Sequence, residues 1–242
     1  MASTSETGHA KNIANANLLN TFIIQLGVIY KPTNPNLFLE NLKGIYTTSF
    51  TQQLEVNNLI PPYSIAVDKR ERIFAPMSKK ITKIRRAYKA TEGVTQAQLE
   101  DFMTIARKLK GIRKVVKSPS TDPSEMQVHH STSQLSYDQR TNNMDLLIAQ
   151  LENTPNYNPN EEEYTVVTLQ LEKAKMLQVT QEVANTFVPL NHARNTRNET
   201  LYNSNDNLVD TFNKAKDYIF TILDSSSIQY KAIAKIKFKK VN

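Results

Sequence analysis

A chain of 242 residues is long enough for one large domain or two of ordinary size, and 39% apolar residues suffice for a core. Five glycines and ten prolines are too few for the tight turns of an all-β fold, and the lack of cysteine excludes a disulfide framework, a thiolate zinc site and a cysteine nucleophile. The net charge of +7 is lopsided: residues 1–128 hold 18 basic and 10 acidic side chains, and the remainder stands at −1.

Ser3-x-x-Glu6 has capping-box form, in which hydroxyl and carboxylate each take an orphan backbone N–H, and it predicts a helix from there to about Leu26. Met1–Thr7 lacks the basic start of a secretory signal. The apolar stretch Leu18–Tyr30 is broken by Asn20, Thr21 and Gln25 and is too short for a membrane span. A cytoplasmic protein with no membrane span is therefore expected, with non-classical export left open.

The loop Tyr30-x-Pro32 ends the first helix, and Asn34 is placed to cap a second that has Pro35 at its first position. Leu39, Leu42, Tyr46, Phe50 and Leu54 recur three to four apart and predict its buried stripe. Pro61 predicts a kink or short break, after which the helix resumes through Glu71 to Phe74. A third helix carries Ile81, Ile84 and Tyr88, and a short fourth carries Leu99, Phe102, Ala106 and Leu109. Ser118-Pro-Ser-Thr-Asp-Pro-Ser124 has the composition of a linker.

The same plan returns about 128 residues on. Ser131-Thr-Ser-Gln134 repeats Ser3-Thr-Ser-Glu6, and Asn15, Leu19 and Ile23 meet Asn143, Leu147 and Leu151. Tyr30-x-Pro32 meets Tyr157-x-Pro159 at a shift of 127, and the register of 128 is read again from Pro61/Pro189 through Lys69/Arg197, Glu71/Glu199, Phe74/Tyr202, Ile81/Val209 and Ile84/Phe212. In the second copy the first helix should run to about Glu152. Asn160 should cap the next, with Glu161, Glu162 and Glu163 at its positive end and Tyr164, Val167, Leu171, Ala174 and Leu177 as its stripe. The reading is an all-α fold, a tandem duplication of a helical unit: a first repeat over 1–117, a polar linker over 118–130 and a second repeat over 131–242. Antiparallel helical bundles would form within each repeat or across both.

Chemical signatures are absent. Each glycine stands alone, so neither G-x-x-x-x-G-K-[ST] nor G-x-G-x-x-G is available to cradle phosphate; H-E-x-x-H does not occur, and neither does the pair of Glu-x-x-His motifs of a helical di-metal site, since Glu6-x-x-His9 stands alone. No catalytic or metal residue is named, and no cofactor or small-molecule substrate is implied. His129-His130 reads as a solvated pair, and His9 and His192 face Tyr137 and Ser64 in the other copy, so the shared fold requires neither. Lys69 and Glu71, with Arg197 and Glu199, form the polar pair both copies keep. It is read as a tether for the aromatic that follows, with a carboxylate ligand site as the minority alternative. The run Lys79, Lys80, Lys83, Arg85, Arg86 and Lys89 is the candidate anion-binding surface. Lys79, Lys83, Arg86 and Lys89 fall opposite Ile81, Ile84 and Tyr88 on a helix, and the second copy carries Asn207, Thr211, Lys214 and Asp217 in their places.

Met1–Asn15 (MASTSETGHAKNIAN), the Tyr30–Asn34 loop, Arg70–Lys80 (RERIFAPMSKK) and Ser131–Asn143 (STSQLSYDQRTNN) resemble a family of uncharacterised, internally duplicated helical proteins of the Bacteroidota. The resemblance implies a bacterial source and a helical duplicated fold, and it implies no activity. Three functions remain. The first, which is expected, is a non-enzymatic structural or interaction protein that assembles with itself or binds another protein. The second is a binder of nucleic acid or another anionic surface through the basic face. The third is a membrane-active pore-former, which needs a concealed apolar hairpin.

Overall fold

A computed structural model describes residues 4–111 and 136–241, which form eight α-helices and no strand. These are α1 (Thr4–Leu26), α2 (Leu39–Phe74), α3 (Met77–Ala90), α4 (Gln96–Lys110), α5 (Tyr137–Glu152), α6 (Val166–Asn198), α7 (Leu208–Ile222) and α8 (Ile228–Ala234). Local chemistry sets several ends. Thr95 and Gln98 close a reciprocal capping box on α4, and Gly111, at a φ of 68°, ends the same helix in the left-handed conformation that glycine adopts without penalty. Ser136, Asn207 and Ser227 cap α5, α7 and α8 by accepting backbone N–H bonds.

Among the described residues helix α5 starts behind Ser136. Asn34 caps a short 3-10 turn, Pro35–Leu37, and α2 begins only at Leu39. Likewise Asn160 is not a helix cap: the glutamates lead into a 3-10 turn, Glu162–Tyr164, and α6 follows Thr165, whose hydroxyl accepts from the Thr168 N–H. The capping boxes at Ser3 and Ser131, the linker 118–130 and the His129-His130 pair lie outside the described residues.

The chain divides into two compact units, Met1–Tyr63 with Thr186–Asn242, and Ser64–Asn185. They do not coincide with the halves 1–117 and 131–242, because each unit takes residues from both. In the first unit α1 packs against α7 and α8, joining Ile13, Ala16, Leu19 and Ile23 to Phe212, Ala215, Ile219 and Ile233. There α2 and α6 run antiparallel, with Val56 against Leu190 and Ala193 and the rings of Tyr63 and Phe187 5.8 Å apart. In the second unit α4 lies between α3 and α5. Its core joins Phe74, Ile81, Ile84 and Tyr88 to Phe102, Leu109, Met144, Leu147 and Leu151.

The expected stripes of the two long helices are buried only in part: Leu42 and Tyr164 are in the core, and Leu39 and Tyr46 pack against it. Phe50, Leu54, Val167, Leu171 and Leu177 are exposed. The core takes a seven-residue row instead: Leu42, Ser49 and Val56 in α2, and Leu169, Met176, Val183, Leu190 and Arg197 in α6. Both rows satisfy helical spacing, and tertiary partners decide between them; a helix paired along its length buries every seventh residue. This row relates α2 to α6 by 127 residues, so Arg70 rather than Lys69 matches Arg197. One residue is regained in a π-turn, Glu199–Asn203, which restores the 128 spacing at Phe74 and Tyr202.

The prolines bring no break. α2 continues through Pro61 and Pro62, and α6 through Pro189. One turn before Pro61 and Pro189, Gln53 donates to Asn57 and Gln181 to Asn185, an i,i+4 link recurring in both helices.

Candidate functional site

The basic face is carried by α3 in the second unit. Its buried residues Met77, Ile81, Ile84 and Tyr88 fix its orientation, and Lys79, Lys83, Arg86 and Lys89 point to solvent as the spacing requires. Arg85 is half-buried. Two of the six candidate residues are already engaged. Lys80 pairs with Glu172 of α6, both largely shielded from solvent, and Lys83 lies 3.6 Å from Glu163 and 5.9 Å from the centre of the Tyr164 ring. Hydrogen bonding to Tyr164 and the charge of Glu163 raise the Lys83 ammonium above its ordinary value. The Tyr164 hydrogen bond, then Lys83 and Lys80, lower the Glu163 carboxyl. Burial, reinforced by Arg85, lowers Lys110, which donates to Thr82. The face is thus a partly neutralised surface.

The residues Lys69, Glu71, Arg197 and Glu199 do not form two equivalent pairs. Lys69 reaches Glu182 at 2.7 Å, whereas Glu71 and Glu199 are exposed. Arg197 is buried and donates to Asn198 and Gln53. Arg70, 127 residues before Arg197, stacks its guanidinium 3.9 Å over the Tyr137 ring.

His9 is buried, and its Nδ1 lies 2.6 Å from the Tyr202 hydroxyl, which Asn12 also contacts. The ring pair His9/Tyr202 in one unit matches Tyr137/Phe74 in the other, at 5.5 and 4.9 Å between centroids. The alignment of His9 with Tyr137 was the available signal: both keep a ring against the aromatic at the end of a long helix. His192 is exposed.

Two features were not foreseen. The first is a cavity of about 200 Å³ in the second unit, lined by Ile73, Pro76, Met77, Ile81, Ile84, Met144 and Met176, with Arg72, Lys80, Lys175 and Glu172 at its edge. Sequence reading missed it because its walls come from α2, α3, α5 and α6, and no local pattern joins them. The second is the row Val167, Leu171, Ala174 and Leu177, an apolar face of α6 standing in solvent opposite Leu169 and Met176. Among the described residues no group of three or more His, Asp or Glu side chains is placed to hold a metal ion, and no helix is long and apolar enough to cross a membrane. Comparison with protein families, with characterised proteins and with solved structures finds no match to this chain.

Proposed function

We propose that the protein is a non-enzymatic helical scaffold that assembles with a second copy of itself through the exposed row of α6. The observation that carries this reading is the exposure of Val167, Leu171 and Leu177, at 66%, 59% and 54%, on one face of a helix whose opposite face is in the core. A contiguous apolar face in solvent marks an interaction surface. A two-fold operation packs such a row against itself, so one chain supplies both sides of the interface. The same reading takes the two sequence halves as copies of one ancestral helical unit, as the family resemblance implies.

Measurement of mass in solution over a range of concentrations tests it. The chain should pass from monomer to dimer, and Leu171→Glu with Leu177→Glu should hold it monomeric with its helix content intact. A wild-type chain that stays monomeric at high concentration overturns the reading.

A further inference from the structure

We infer that the cavity between α2, α3, α5 and α6 is a binding site for a small amphipathic anion, one with an aromatic or short alkyl body and a carboxylate head. All of its walls lie within the second unit. Its size suits the body: an apolar cavity of about 150 Å³ accommodates a benzene ring, and this one measures about 200 Å³. Met77, Met144 and Met176 supply three flexible, polarisable thioethers that adapt to an inserted group. The edge selects the head. Arg72, Lys80 and Lys175 stand there against one carboxylate, Glu172, which Lys80 already neutralises. Arg72 and Lys175 are exposed and in excess, so an anion entering the cavity meets net positive charge.

The fold itself does not require this arrangement. At the corresponding positions of the first unit Ile84 becomes Phe212, Lys80 becomes Leu208 and Glu172 becomes Ile45. Phe212 and Leu208 are fully buried, and Ile45 packs against the same core. There a larger ring and two apolar side chains stand where the second unit keeps space and an ion pair.

The cavity and the exposed row are read from different side chains, because Met176 is buried and Leu177 is exposed. The test is titration of the whole chain, with isotope-labelled methionine methyls, with 4-phenylbutyrate and separately with 4-phenylbutan-1-ol. The carboxylate should shift the Met77, Met144 and Met176 methyls saturably and leave Met103 still. The alcohol, lacking the charge-assisted contacts, should bind roughly tenfold more weakly. Ile84→Phe should abolish the shifts at Met144 and Met176. Should that variant fold poorly, Arg72→Glu with Lys175→Glu alters only exposed side chains and should weaken carboxylate binding roughly tenfold or more. No saturable shift at millimolar probe, equal binding of the alcohol, or no effect of the double charge reversal overturns the inference.

Discussion

The Tyr157 hydroxyl donates to the Tyr164 carbonyl at 2.9 Å, and the same seven-residue span is closed at 2.8 Å where Tyr30 donates to Leu37. Each bond fixes the loop that delivers the chain from a first helix into a long second one. Burial pushes Tyr157 up to about 12, with Glu161 adding to it, and burial with Tyr218 also raises Tyr30. A phenol whose pKa is higher folded than unfolded keeps its proton longer in the native state. Its contribution to stability is whole below the unfolded value of about 10 and declines as pH rises toward the folded one. The thermal midpoint should therefore fall steeply between pH 10 and 12. Tyr30→Phe with Tyr157→Phe should flatten that decline while costing about 1–3 kcal/mol near neutral pH, because two carbonyls lose their donor.

Substitutions on the two faces of α6 should separate cleanly. Leu169→Ala or Val183→Ala removes a buried side chain from the seven-residue row and should cost about 2–5 kcal/mol for the leucine and somewhat less for the valine, read by denaturant unfolding. Leu171→Ser and Leu177→Ser, on the exposed row, should change the stability of the monomer, measured at a dilution below that of assembly, by less than about 0.5 kcal/mol.

This contrast also marks the reach of the sequence. Helix ends at Leu26, Glu152 and Phe74 and the buried residues Ile81, Ile84, Tyr88 and Phe212 follow from local caps and spacing. The long helices do not yield so readily. Val167, Leu171, Ala174 and Leu177 make the more regular apolar row, yet the core accepts Ser49, Gln53 and Arg197. Which of two rows is buried depends on partners far along the chain, and no local pattern encodes them. Reading Lys69 rather than Arg70 against Arg197 is the same ambiguity at finer scale, since the π-turn that begins two residues after Arg197 shifts the spacing by one.

Pro189 should be replaceable at a gain. A proline inside a helix removes one N–H donor and crowds the carbonyl four residues back, here that of Asn185, at about 3 kcal/mol relative to alanine. The helix nevertheless runs through it, and Pro189 itself is exposed. Pro189→Ala should raise the unfolding free energy by about 1–3 kcal/mol, the upper end being reduced by the greater freedom it gives the unfolded chain. A drop in stability would mean that the proline sets a bend on which the packing of Leu190 and Ala193 depends.

Salt separates assembly through α6 from binding through α3. Apolar association loses no counterions and is screened little, so the dimer population should hold or rise from low to high salt. Attraction of an anionic polymer to Lys79, Arg86 and Lys89 releases condensed counterions, so its affinity should fall steeply and linearly in logarithmic salt. Lys80 and Lys83 are held by Glu172 and Glu163, which leaves fewer cations to engage phosphate than the run of basic residues suggests. The expected outcome is a salt-resistant dimer and only weak retention of nucleic acid, both read from mass and ultraviolet absorbance in one salt series. Lys79→Gln, Arg86→Gln and Lys89→Gln together should abolish any retention and leave the dimer unchanged, because these side chains lie on α3 and the row lies on α6.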